Sequence, residues 1–411
     1  MIGWNKYIKP MLANDDLKNV LYDLPAYDES IRNDDISIRL MKLSDIYKIY
    51  VPSVMTLEIY HKLYMSMLIS LQKKETKEAI LQQKNNFLRI RDSGFRGIIG
   101  GCDSFTIIGK SGIGKSSAIE RAVSLITGNE LICIDAPHIV IIPILQVQCP
   151  FDCSSKALLL EILKAVDDRT GSNYYRSGTR NGVTTDSLIG LVSQVCLNHV
   201  GVLIIDEIHN VVKNKKGGTL IGMLMQLINS SGIGIAMVGT PESAIFFESE
   251  MQLARRSVGL NYDTMDYGEQ FIKLCSILFR YQYVKQKTEL TDEIIDWLYE
   301  HTQGVVALAV TLIHDAQEIA IIHGLEILDI NTLSMAYSER LGMLHDRISC
   351  NKKRKPQTSR KKSIKENIEE SLEAVPDDLR SLVDVVDFCK KNNLDAVEEI
   401  SKYVSVEVVS V

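Results

Sequence analysis

The stretch Phe105-Thr106-Ile107-Ile108-Gly109-Lys110-Ser111-Gly112-Ile113-Gly114-Lys115-Ser116-Ser117 decides how this chain is read. Four apolar or β-branched residues read as a short buried strand, and Ser117 to Ile126 carry the spacing of a helix. Between them Gly109 to Ser116 form a complete GxxxxGK[ST] motif, in the strand-to-helix context that a phosphate-binding loop requires. Its glycines let successive backbone amides curl toward phosphate oxygens at a helix N-terminus. Lys115 would reach the β and γ oxygens of ATP and the Ser116 hydroxyl would ligate Mg²⁺. Gly109, Lys110, Ser111, Gly112, Ile113, Gly114, Lys115, Ser116 and Ser117 form the expected nucleotide cradle.

Outward from this loop, Val202 to Ile205 read as a second apolar strand, ending in Asp206 and Glu207 about ninety residues on. Open α/β sheets bind ligands at strand ends. Asp206 is expected to hold Mg²⁺, and Glu207 to polarise the water that attacks the γ-phosphate. A third strand, Gly234 to Val238, leads into Gly239-Thr240-Pro241-Glu242, which sets the Thr240 hydroxyl near the γ-phosphate. A plain chain reversal at Gly239 and Pro241 accounts for the same residues. Arg255 and Arg256 end the run Gln252-Leu253-Ala254-Arg255-Arg256 and could reach a neighbour's γ-phosphate in trans, surface arginines being the alternative. His209 follows the acidic pair, where it either tunes the pair or faces solvent.

Together with Ile139 to Val147, these strands are continuous apolar runs alternating with helical segments. That pattern predicts an α/β fold with a parallel sheet covered on both faces. The 411 residues divide into a helical extension over 1–84, a nucleotide-binding core over 85–275, a helical lid over 276–349 and a tail over 350–411. Residues 56–84 carry apolar positions at helical spacing and predict one long helix, its tyrosines suited to packing or to a partner's surface. Eight basic residues and no acid fall between 352 and 365, while 366–411 hold twelve acids against four bases. The tail therefore reads as a basic linker followed by an acidic interaction module.

The net charge of −6 with 45% hydrophobic residues excludes a disordered chain and a globally basic nucleic-acid coat, so any DNA contact must be local. Eight cysteines without a CxxC framework, and no apolar run near the N-terminus, predict a reducing cytoplasm. Cys149 and Cys153 have no second ligand pair at zinc-site spacing. The most apolar stretch, Leu131 to Val147, contains Asp135, His138 and Pro143, so no membrane span is expected. Segment 171–186 combines Gly, Ser and Thr with Tyr174, Tyr175, Arg176 and Arg180, and reads either as a phosphate-contacting loop or as an ordinary polar one.

In order, GKSGIGKSS, LIIDEIHN, AMVGTPE, QLARR and HTQGVVALAVTLI resemble the TnsC/TniB family of AAA+ ATPases that regulate transposition, over roughly residues 85–345. The resemblance implies a three-layer αβα AAA+ core with a small helical lid, and ATP-dependent assembly into a ring or helical filament on duplex DNA. It also implies a matchmaking role between a target-selection protein and a transposase, with slow, partner-stimulated hydrolysis. Pro150 to Lys156 resemble the family's DNA-facing turn, so Lys156, Thr184 and Thr185 would touch the DNA backbone, beside Arg176 and Arg180. One departure stands out. Gly304 is followed by Val305, Val306, Ala307 and Leu308, with no arginine where many AAA+ lids place one against the γ-phosphate. A helicase-loader or replication-initiator ATPase, or a DNA-independent signalling ATPase, are the competing readings.

Overall fold

Six strands build one sheet in the order β2-β3-β4-β5-β1-β6. In the computed structural model, which describes residues 4–91, 99, 104–128, 130–134, 139–210, 217–244 and 259–342, these are β1 Phe105–Gly109, β2 Ile132–Ile134, β3 Ile139–Gln148, β4 Val200–Asp206, β5 Gly234–Gly239 and β6 Leu260–Tyr262. Every pairing is parallel except that of β2 with β3. The strand β5 sits between β1 and β4, with Ile108 opposite Gly239 and Ile205 opposite Met237. The ends of all three strands therefore open on the same edge of the sheet.

Every residue of β1, β4 and β5 is buried, as continuous apolar runs require when helices cover both faces. The helices, in chain order, begin with α1 Asn14–Leu21, α2 Ile36–Leu43, α3 Val54–Lys73, α4 Lys77–Arg91, α5 Lys115–Thr127, α6 Ser155–Thr170, α7 Tyr174–Gly178 and α8 Thr185–His199. They continue with α9 Gly217–Ser231, α10 Glu269–Leu278, α11 Asp292–Thr302, α12 Val306–Ile322 and α13 Ile330–Ala336. Alternation along β4 assigns the layers. Val202 and Ile204 pack with Leu63, Met67, Ile119 and Ala122 of α3 and α5. Leu203 and Ile205 pack with Ile162, Val192 and Leu224 of α6, α8 and α9. This is the three-layer AAA+ core.

The helix expected over 56–84 is two helices, because the chain turns at residues 74–76. There Lys74 donates its ammonium to Cys196 O (3.1 Å) and Leu197 O (2.5 Å), carbonyls in the last turn of α8. Thr76 then caps α4, its Oγ1 accepting from Ala79 N at 3.3 Å.

Helices α10 to α13 form the lid around Phe271, Leu274, Leu298, Leu312, Ile313 and Leu333. Leu43 and Ile46 from the N-terminal segment belong to the same cluster, whereas Trp4, Leu17 and Leu21 belong to the sheet-face core. The N-terminal segment thus runs from core to lid and back. Arg39, with 0% of its surface exposed, locks α2 to the lid. Its guanidinium donates to both carboxylate oxygens of Glu326 at 2.7 Å, to Tyr283 O at 3.0 Å and to Asp34 O at 3.1 Å. The outgoing and returning segments are bridged by Asp23 N to Tyr50 O (3.1 Å) and Tyr50 N to Asp23 O (2.8 Å). Arg121 of α5 pairs with Asp23 at 2.6 Å and lies over the Tyr50 ring, so this crossing is clipped to the helix that follows the phosphate-binding loop.

Candidate nucleotide site

Gly112 (φ +81°) and Gly114 (φ +96°) take the left-handed conformations that the loop needs and that side chains resist. Gly109 is fixed by space, since a Cβ there would fall 2.6 Å from Ile113 Cδ1 and 2.9 Å from Tyr262 O. The loop ends at Lys115, the first residue of α5, and places the helix's unpaired amides at the site. Lys115 folds its ammonium back onto Gly109 O (2.7 Å) and Lys110 O (2.8 Å). Burial lowers its pKa, opposed by Asp206, Glu207 and Glu242. Ser111, Ser116 and Ser117 are exposed at the mouth.

Asp206 closes β4 with 9% exposure and accepts from Glu207 N at 2.8 Å. Burial is the main cause that raises its pKa, with Lys115 acting against it. A buried carboxylate at the end of β4 and a hydroxyl in the first turn of α5 are the kind of oxygen donors that Mg²⁺ favours. Residues 206 and 116 therefore fit the metal. Glu207 takes φ +60°, a conformation uncommon for a residue with a Cβ. Its half-exposed carboxylate lies 3.1 Å from His209 Nδ1. Thr240 follows β5, half-buried, and its carbonyl accepts from Ser243 N (2.9 Å) and Ser243 Oγ (2.5 Å). Ile208 N donates to Val238 O at 2.9 Å, which knits the turn after β4 to the end of β5.

The lid reaches the loop directly. Ala307 N donates to Gly112 O at 3.0 Å, and a Cβ on Gly112 would meet Val305 Cγ1 at 3.0 Å. Where an arginine would face a γ-phosphate, this chain sets small apolar residues and a main-chain bond against the loop. Gly304 makes the approach possible. At φ +71° it accepts from Met265 N at 3.0 Å, and a Cβ there would lie 1.9 Å from Met265 O. Lys110 pairs with Asp263 at 2.7 Å, a second tie between the loop and the segment entering the lid. None of Asp263, Val305 and Ala307 was singled out as a contact in the sequence, because no short-range pattern links positions this far apart to the loop.

The residues expected to contact DNA lie at two helix starts and in the segment between them. Lys156 is exposed in the first turn of α6, and Thr184 and Thr185 are exposed at the start of α8. Thr184 Oγ1 caps α8 by accepting from Ser187 N at 3.2 Å. Gly178 fits between these helices, since a Cβ on it would meet Leu163, Leu188 and Leu160 at 2.8, 3.0 and 3.1 Å. The start of α8 is thus level with the early turns of α6. Segment 171–186, expected as a loop, contains α7, whose first amides at Tyr174 and Tyr175 donate to Asp167 at 2.9 and 2.8 Å. Arg176 and Arg180 are exposed. The Tyr174 hydroxyl is taken by His199 Nε2 at 2.9 Å, at the far end of α8 from Thr184. Arg255 and Arg256 lie outside the described residues.

Two further features stand apart from the loop. A cavity of about 410 Å³ between α5, β3 and α6 is lined by Glu120, Ser124, Gln146, Asp168 and Arg169 among others, and by none of the loop residues. His314, Asp315 and Glu318 cluster in the lid, but Arg340 pairs with both carboxylates, which fills the place of a cation. Among the described residues no helix is long and apolar enough to cross a membrane.

Sheet order, phosphate-binding loop, acidic strand end and helical lid together define a P-loop fold of the AAA+ class. More narrowly, residues 101–263 match the family described as the bacterial TniB protein, and over that span the chain is TniB-like, as the motifs imply. No protein of curated function matches the sequence. Among solved structures, the Aeropyrum pernix Orc1 protein in complex with DNA is similar at 14% identity, with 64% of each chain covered and a TM-score of 0.41. Drosophila ORC bound to DNA is similar at 14% identity, over 84% of this chain and 74% of that one, with a TM-score of 0.40.

Proposed function

We propose that this chain is an ATP-dependent, DNA-binding, oligomeric regulator of transposition that links a target-selection protein to a transposase. The observation that carries the reading is the TniB match, which spans both the phosphate-binding loop and the acidic strand end. On this reading the loop amides hold the phosphates, and Lys115 exchanges its carbonyl partners for phosphate oxygens when ATP enters. Asp206 and Ser116 would hold Mg²⁺, which neutralises charge on the β- and γ-phosphates. Glu207 would accept a proton from the attacking water, and Thr240, after β5, would set its hydroxyl near the γ-phosphate. Arg255 and Arg256 are the candidates for completing a neighbour's site.

Lys156, Thr184 and Thr185, with Arg176 and Arg180, offer exposed cations and hydroxyls to a phosphate backbone, so binding is sequence-indifferent and salt-sensitive. Residues 1–84 and 350–411 are assigned to the selector and the transposase respectively. Negative-stain imaging with a random-sequence duplex, with and without a non-hydrolysable ATP analogue, tests the reading. Rings or filaments on DNA only with nucleotide support it. Nucleotide-dependent assembly indifferent to DNA points instead to a signalling ATPase.

A further inference from the structure

Helix α4 is turned inside out. Its buried residues include Gln82 and Asn86, with Gln82 Nε2 donating to Asn86 Oδ1 at 2.9 Å and Asn86 Nδ2 to Ser230 O at 3.0 Å. Beside them Gln83 Nε2 donates to Asn198 Oδ1 at 3.0 Å. The opposite face carries Ile80, Leu81 and Phe87, with Ile80 at 66% and Phe87 at 57% exposure, among exposed Lys77 and Lys84. Positions 77, 80, 84 and 87 are three or four apart and so form one stripe. A surface helix normally buries its apolar side, and large apolar side chains gathered on the outer one mark a contact surface. Helix α2 carries a counterpart. Its Arg39 and Leu43 are buried, while Ile38 and Met41, three apart, are exposed next to exposed Asp34 and Asp35 where the helix starts. None of these two lysine and two aspartate side chains is in an ion pair among the described residues.

The two faces belong to separate parts of the chain, since α4 packs on α8 and α9 whereas α2 packs on α12 of the lid. One is apolar and basic, the other apolar and acidic. We propose that the outer face of α4 docks on the outer face of α2 in a second copy of this chain. Ile80, Leu81 and Phe87 meet Ile38 and Met41 at the centre, and Lys77 and Lys84 meet Asp34 and Asp35 at the rim. Opposite charge on the two faces selects a copy of this chain as the occupant and sets against each other two faces of unlike sign rather than two of the same. Because the faces differ, the contact is head-to-tail, leaves one face of each kind open at the ends, and propagates into a ring or a filament. The proposal rests on the reading of the chain as an oligomer and names the surfaces that join its copies.

Light scattering of the full chain with a random-sequence duplex and a non-hydrolysable ATP analogue tests it. Lys77→Glu with Lys84→Glu, and separately Asp34→Lys with Asp35→Lys, each raise the concentration for half-assembly at least about tenfold and leave the Tm without nucleotide as in wild type. An equimolar mixture of the two double variants assembles as wild type does, because each altered face then meets its altered complement, and so does one chain carrying all four substitutions. A double variant that assembles like wild type overturns the contact and hands the faces to a different protein. A mixture no better than its parts, or a fourfold variant without rescue, also overturns it. A wild type that stays single with both nucleotide and duplex overturns the oligomeric reading, and the contact with it, which tells that failure apart from the others.

Discussion

Neutralising Glu326 should loosen the lid more than any surface change, because Arg39 has no other carboxylate within its described hydrogen bonds and no exposed surface. Glu326→Gln keeps the shape and one acceptor oxygen but leaves a buried guanidinium without its counter-charge. Breaking a buried pair in this way costs about 3–5 kcal/mol, which at about 2 °C per kcal/mol for a body of this size is a fall in Tm of about 6–10 °C. Replacing both partners, Arg39→Met with Glu326→Leu, removes the stranded charge and should recover much of the loss, giving a coupling energy of about 2 kcal/mol or more in a double-mutant cycle. Acid should act as the substitution does. Arg39, by its hydrogen bonds, holds the Glu326 carboxyl below the usual carboxylate range. The contribution is therefore complete above the unfolded pKa near 4.5 and is lost as pH falls through the lower folded value. Thermal unfolding followed by circular dichroism from pH 7 to pH 3 provides the measurement. A Tm for Glu326→Gln within about 1 °C of wild type, or additivity in the cycle, refutes the argument.

Three further outcomes are expected. Gly304→Ala must place a Cβ where Met265 O stands at 1.9 Å, at a left-handed φ that alone costs about 1–2 kcal/mol; fluorescent-nucleotide titration should show ATP binding weakened at least about tenfold, and unchanged affinity would mean the lid start is dispensable. Lys115→Ala should abolish nucleotide binding and nucleotide-dependent assembly together, which light scattering reads, so that assembly surviving with ATP counts against the switch. Lys156→Ala should lower the slope of log affinity for duplex DNA against log salt by about one, and an unchanged slope moves the contact elsewhere.

The strands of the core were legible because β1, β3, β4 and β5 are apolar runs with few interruptions, and because the glycines at 109, 112 and 114 have no other common use in that spacing. The strands β2 and β6 escaped notice, being three residues each, too short for any period to emerge. The break at residues 74–76 was hidden by its own chemistry. Lys74 is an ordinary helical residue until the carbonyls of Cys196 and Leu197 are brought beside it. The same holds for Arg39, an unremarkable cation in a polar stretch whose partner lies nearly three hundred residues on. Pattern reports what a residue does with its neighbours in the chain. The lid's grip on the loop, through Ala307 and Gly112, is made between residues that are neighbours only after folding.

The path of the N-terminal segment has a mechanical consequence. A lid joined to its base by the single segment after β6 would be free to tilt, twist and swing. This lid is also joined through the bridged segments at Asp23 and Tyr50, which leave the core after α1 and return to it before α3. Attachments at separate points define an axis, and a body held along an axis behaves as a door rather than as a pendulum. Because Arg121 fastens one hinge to α5, the direction of the swing is set from the same helix whose first residue, Lys115, faces the nucleotide.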